Sequence, residues 1–147
     1  MKLVKDFEEF IESLNKNEVK YLVVGGYAFA IHAYPRFTNT IDFFLLSTKP
    51  NVDKIISVLK EFGFDISSIS ADDLLKKDKV VQLGEPPYRI DLLTSIDGVD
   101  FGDAWERKIQ GKYGDQVIYF ISKEDLIRNK KASGRKKDLD DLYELES

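Results

Sequence analysis

The stretch Val23–Phe44, VVGGYAFAIHAYPRFTNTIDFF, decides how the rest of the chain is read. An apolar run ends in Gly25-Gly26, a helix-like segment follows to Tyr34, and Pro35-Arg36 turns the chain into a strand that carries Asp42. Glycine tolerates the positive φ of a tight turn. Where such a turn opens a helix, free backbone N–H groups and the positive end of the helix dipole favour an anion such as phosphate. On the strand, residues i and i+2 share a face about 6 to 7 Å apart, so Asp42 has Thr40 as its near neighbour on that face. A carboxylate at both positions would share a pair of divalent ions about 3.5 to 4 Å apart, the arrangement that serves in-line displacement at phosphorus. Here the second carboxylate is replaced by a neutral hydroxyl.

A second strand pattern supplies another acid. Lys79–Leu83 and Tyr88–Thr94 are β-like and flank Gly84-Glu85-Pro86-Pro87, which predicts a hairpin. Asp91 lies in the second of these strands between Ile90 and Leu92, and is read as sharing a face with Arg89 only if a bulge intervenes. By itself a lone Asp in a strand reads better as an exposed or paired polar residue, and only its place in the order of motifs reverses that.

Taken in order, Gly25, Gly26, His32, Pro35, Arg36, Thr38 and Asp42, followed by Asp91 in RIDLLT, resemble the nucleotidyltransferase superfamily with the DNA polymerase beta-like fold. Within it the chain is similar to the small toxin-type, minimal nucleotidyltransferases of toxin–antitoxin pairs. GVDFGDAWERK and SKEDLIRNKKASGRKKDLDDL extend the likeness, so that it spans about Val23 to Leu142. Thr40 departs from the family's Asp-x-Asp.

The resemblance implies an α+β fold: a mixed β-sheet with helices packed on it and a C-terminal helical pair, as one domain over residues 1–147. It implies an NTP bound with Mg²⁺ or Mn²⁺, with Asp42 and Asp91 as metal ligands and catalytic residues and Asp91 also as the base. Gly25 and Gly26 are assigned to the triphosphate, with Thr40 as a hydrogen-bond donor to a phosphate. Lys130 approaches the phosphates from the helical pair that closes over the nucleotide, and Arg36 either neutralises triphosphate charge or is simply solvated. The implied reaction is transfer of an NMP group to a hydroxyl of RNA, tRNA included, or of protein. The alternative is a degenerate site in a binding or regulatory partner of a toxin–antitoxin-like complex, with an antitoxin-like protein bound.

Composition narrows the field. The chain has 147 residues, 43% of them hydrophobic, enough for one core. Zero cysteines exclude disulfides, thiol catalysis and cysteine-based zinc sites, and one histidine is too few for a histidine-rich metal centre. No apolar run approaches the about 18 residues of a membrane span, and MKLVKDFEEF lacks a signal-peptide pattern, so a cytoplasmic location is expected. A net charge of −4 argues against a broadly basic nucleic-acid surface. The charge is uneven, however: Arg128, Lys130, Lys131, Arg135, Lys136 and Lys137 precede Asp138, Asp140, Asp141, Glu144 and Glu146. Either this is a solvated helix pair laced by ion pairs, or it offers a local phosphate or RNA contact.

Periodicity supplies the frame. Phe7, Phe10, Ile11 and Leu14 predict a helix over about residues 4–16, and Tyr21–Val24 reads as a buried strand. Thr38–Leu46 is extended, with Ile41, Phe43 and Leu45 opposite Thr40, Asp42 and Phe44. Pro50 and Asn51 open a helix that Gly63 stops. Lys112–Ile121 reads as one strand. Ser122 caps a helix over Lys123–Ala132 that ends near Gly134, and Asp138–Glu146 forms the last helix. His32 reads as a packed or capping residue, and Trp105 as part of a local core.

Overall fold

The computed structural model describes residues 4–64 and 69–147. Helix α1 (Lys5–Lys16) buries Phe7, Phe10, Ile11 and Leu14, the stripe that the helical period selects. Strand β1 (Tyr21–Val24) is buried throughout and leads directly into α2 (Gly25–His32). Both glycines therefore belong to the first turn of α2, two residues earlier than the spacing suggested. The helix ends before Tyr34, because the residue preceding Pro35 is pushed out of the helical region. Strand β2 (Thr40–Leu45) and helix α3 (Lys49–Glu61) follow, with Pro50 in the first turn of α3 and Gly63 at φ +83° just past its end.

A short helix, α4 (Ala71–Leu75), is capped by the Ser70 hydroxyl, and one turn is too brief to leave a periodic signature. The hairpin β3 (Val80–Leu83) and β4 (Arg89–Leu93) forms as expected. Helix α5 (Phe101–Glu106) carries Trp105. The single strand expected over Lys112–Ile121 is instead a hairpin, β5 (Ile109–Tyr113) and β6 (Gln116–Phe120). Gly114, at φ +60°, and Asp115 make its two-residue turn, in which positive φ matches the strand twist. The chain closes with α6 (Lys123–Ser133), capped by Ser122 and ended by left-handed Gly134, and α7 (Lys136–Glu146).

The described strands form one mixed sheet in the order β3-β4-β2-β1-β6-β5. β2 runs antiparallel to β1 and parallel to β4, and β1 runs parallel to β6. One face packs on α1 and α3: Phe10 meets Phe43 and Phe62, and Tyr21 meets Phe43. On the other face Phe44 packs on Phe101, so that face is closed from Phe44 onward and opens at Asp42. Asn51 ties the base of α3 to the sheet, accepting from the Lys20 N–H and donating to the Lys20 and Leu46 carbonyls. No helix among the described residues is long and apolar enough to cross a membrane.

Candidate functional site

The parallel ladder of β2 and β4 places Thr40 opposite Arg89 and Asp42 opposite Asp91, without a bulge. Partners in a ladder project to the same side, so these four side chains form a square on one face of the sheet. Strand alternation alone puts Arg89 and Asp91 on that face, which corrects the reading that required a bulge. On the other side of β2, Val24 pairs with Asp42, which brings the start of α2 alongside. Gly25, at φ +65°, lies so close to Asp42 that an added Cβ would run into its Oδ2, and one on Gly26 would sit 3.3 Å from the Thr38 side chain. Gly25 lets the backbone approach the acid, and Gly26 lets it approach Thr38.

Asp42 carries an unusual proton affinity. Burial is the main cause, with the charge of Asp91 and a hydrogen-bond contact to it adding, and together they push its carboxyl up to about 7 against the pull of Lys137 and Arg89. Asp91 is also raised, by burial first, but Arg89 and Asp42 work to hold its charge. Crowded carboxylates in a partly buried place create a strong negative potential that a cation relieves. The Arg89 guanidinium stands 3.9 Å from the Asp91 carboxylate, a loose contact. Two atoms in this square are shut off from solvent with no hydrogen-bond partner among the described residues: Asp91 Oδ1 and Arg89 Nε.

A cleft of about 330 Å³ opens from Gly25 and Asp42 toward Ser95–Asp97 and the helical pair, where Lys130, Arg135 and Asp138 line it. Lys130 is 6% exposed, and its Nζ donates to Asp138 (3.2 Å) and Asp141 (3.1 Å). Asp138 also accepts from Ser133 and Arg135. Burial opposes its charge, but these three donors prevail and hold its carboxyl down at about 2. Arg36 forks onto Asp141 at 2.8 and 3.1 Å while its guanidinium lies 4.0 Å from the centre of the Phe29 ring. Thus Arg36 is neither free nor merely solvated: it pins α7 to the segment following α2. The basic-then-acidic sequence folds into ion pairs between α6 and α7, within α6, and from Arg135 at the N-cap of α7 to Asp138.

Other expected residues have clear positions. The Thr40 hydroxyl has no hydrogen-bond partner among the described residues, while its backbone is held by Thr38 Oγ1. His32 Nε2 donates to the Ile121 carbonyl at 2.7 Å, as a packing histidine does. Trp105 stacks on Phe101, meets Tyr119, and lies beneath the Lys108 ammonium. Two cations near Asp42, Arg89 and Lys137, are not assigned to the site by the sequence. Arg89 was detectable from its spacing to Asp91, whereas exposed Lys137, two residues beyond a helix cap, leaves no such signal.

Among the described residues no cluster of three or more metal-ligating side chains occurs. Two register-paired carboxylates, one with an unpartnered buried oxygen, nonetheless fit a single hard cation that takes its remaining ligands from phosphate and water. Thr40 offers no charged oxygen for a second.

A mixed sheet that sets paired aspartates beside a glycine-led helix defines the nucleotidyltransferase fold, and comparison with known proteins agrees. The profile of a family described as "Nucleotidyltransferase of unknown function (DUF6036)" matches residues 1–146, and the chain belongs to that family. Among solved structures, the lincomycin-bound lincosamide antibiotic adenylyltransferase LnuA is similar at 18% identity with a TM-score of 0.59, over 100% of this chain and 99% of that one. At this identity the likeness concerns the fold. A comparison with curated protein sequences gives no match.

Proposed function

We propose that this chain binds an NTP with one Mg²⁺ or Mn²⁺ at Asp42 and Asp91 and transfers its NMP group to an acceptor hydroxyl. The observation that carries this is the Asp42–Asp91 pair, in register on parallel strands beside the Gly25 turn, with Asp91 Oδ1 unpartnered. A divalent ion bound there would neutralise phosphate charge and stabilise the leaving oxygen. Gly25 and Gly26 present the first-turn N–H groups of α2 to the triphosphate, and the Thr40 hydroxyl donates to a phosphate oxygen. Lys130, lining the same cleft, adds positive potential from beneath its two carboxylates. Arg36 acts at one remove by fixing α7 through Asp141.

In the reaction the acceptor oxygen attacks the α-phosphorus, its bond to the β-phosphate bridging oxygen breaks, and pyrophosphate leaves. Asp91 takes the hydroxyl proton, with the Arg89 guanidinium 3.9 Å away favouring its charged form. The acceptor is a hydroxyl on RNA, such as tRNA, or on protein. A small molecule is the other class, as the name of the lincosamide adenylyltransferase illustrates for that enzyme. The whole chain acts as one nucleotidyltransferase unit, in the cytoplasm where Mg-NTP is abundant.

Thr40 supports a second reading, in which the site binds nucleotide without turnover and the chain is the regulatory or binding member of a toxin–antitoxin-like complex. The deciding experiment offers each α-labelled NTP with Mg²⁺ to a pool of RNA, protein and hydroxyl-bearing small molecules. Label that appears with the natural chain and vanishes with Asp42→Asn establishes transfer. Nucleotide binding without any label in RNA, protein or small molecules favours the second reading, and absence of both overturns the proposal.

A further inference from the structure

The square of side chains on β2 and β4 contains three charges, and the position of the third is informative. Asp42 and Asp91 occupy one rung of the ladder, while Thr40 and Arg89 occupy the next. The guanidinium therefore stands on the face where a carboxylate at position 40 would have helped hold a second cation. It is poorly used by the protein. Among the described residues its only ion pair is the 3.9 Å approach to Asp91 and its buried Nε has no hydrogen-bond partner, while the side chain is 39% exposed. An unsatisfied buried donor is rare in native structures and marks a missing acceptor. Asp91 Oδ1, also buried and without a hydrogen-bond partner among the described residues, lies on the same face of the ladder.

We infer that Arg89 is a nucleotide-binding residue whose guanidinium takes over the charge of the second metal ion, so that the site works with one divalent cation and one arginine. This rests on the proposed function, and it assigns the triphosphate a ligand that neither the glycine turn nor the helical pair supplies. The planar fork suits phosphate oxygens, and Nε together with one terminal nitrogen can engage two of them at once.

The same geometry explains Thr40. Directly paired residues on adjacent strands interact, so a carboxylate at position 40 would close onto Arg89 and neutralise it. A threonine leaves the guanidinium available and still offers a hydroxyl. Thr40 and Arg89 are thus one device, and restoring an acid at position 40 alone harms the site instead of repairing it.

The test measures binding of the α,β-methylene analogues of ATP, GTP, CTP and UTP in parallel, with Mn²⁺ as the metal and its bound stoichiometry read by electron paramagnetic resonance. Folding of every variant is checked by near-ultraviolet circular dichroism. The natural chain is expected to hold one Mn²⁺ per bound nucleotide. Arg89→Gln is expected to weaken nucleotide binding ten- to a hundredfold, Arg89→Lys less, and Thr40→Asp also to weaken it. The pair Thr40→Asp with Arg89→Gln is expected to admit a second Mn²⁺.

Two Mn²⁺ in the natural chain, unchanged nucleotide affinity in folded Arg89→Gln, or tighter nucleotide binding by Thr40→Asp would each overturn the inference while leaving the proposed function standing. Should Arg89→Gln not fold, Arg89→Lys and Thr40→Asp carry the same decision. A folded natural chain that binds none of the four analogues overturns the proposed function and this inference together.

Discussion

Gly25 lies against the carboxylate of Asp42 so closely that no side chain fits between them. The contact joins the two halves of the site, the turn that opens α2 and the acid on β2, and it makes the conformation of Gly25, at φ +65°, a condition for the position of Asp42. Gly25→Ala is therefore expected to cost about 1–3 kcal/mol of stability through strained backbone and displaced acid. It should also weaken nucleotide binding more than Gly26→Ala, whose Cβ meets only the movable Thr38 side chain. Urea unfolding and nucleotide titration of both variants check this ordering.

Metal binding should be visible without nucleotide. The crowded Asp42–Asp91 pair gains from a divalent cation, so Mg²⁺ or Mn²⁺ at ten times its dissociation constant is expected to stabilise the folded chain by about 1.4 kcal/mol. Thermal unfolding should show this as a rise in Tm for the natural chain and no rise for Asp42→Asn. An equal rise in both would place the cation elsewhere.

The ion cluster between α6 and α7 predicts a pH signature. The carboxyl of Asp138 is held at about 2 in the folded chain, against 3.8 as its ordinary value. Its folded value is depressed, so its contribution is present above pH 3.8 and is lost as pH falls through about 2. The buried Asp138→Asn variant should lose on the order of 2 kcal/mol at pH 7, and the gap to the natural chain should shrink below pH 3.8. Urea unfolding at pH 7, 4 and 2.5 measures the convergence. A gap independent of pH would mean that packing, not charge, is what Asp138 provides.

His32 separates structure from chemistry. Its hydrogen bond to the Ile121 carbonyl links α2 to the end of β6, and among the described residues no carboxylate orients its ring. Replacing it with alanine is expected to cost about 1 kcal/mol of stability and leave nucleotide affinity within twofold. A hundredfold loss of transfer rate with unchanged stability would instead make it a catalytic group.

Much of the fold was legible because period and punctuation agree locally. Phe7, Phe10, Ile11 and Leu14 specify α1, Ser122 and Gly134 bracket α6, and alternation about Asp42 specifies which face of β2 is open. The β5–β6 hairpin was read as one strand because Gly114-Asp115 sits within an otherwise extended run, and a two-residue turn leaves only that much trace. For the site, the order of glycines and acids in the chain was visible, whereas the partners of its cations were not. Lys130 and Arg36 meet Asp138 and Asp141 through contacts between α6, α7 and the segment after α2, which spacing along one element does not encode. Arg89 shows the converse: its place follows from alternation, and its significance only from the strand beside it.

Whether Asp42 and Asp91 hold a Mg-NTP for transfer is decided by calorimetric titration of the four NTPs in Mg²⁺ against the natural chain, Asp42→Asn and Asp91→Asn, followed by transfer of α-label. Mg²⁺-dependent binding is expected of the natural chain, weakened ten- to a hundredfold in each variant by analogy with metal-site substitutions, about 1.4 kcal/mol for each factor of ten. Label should reach an acceptor only with the natural chain. Binding that is indifferent to Mg²⁺ and to both substitutions, with every protein folded, would contradict that role for the two aspartates.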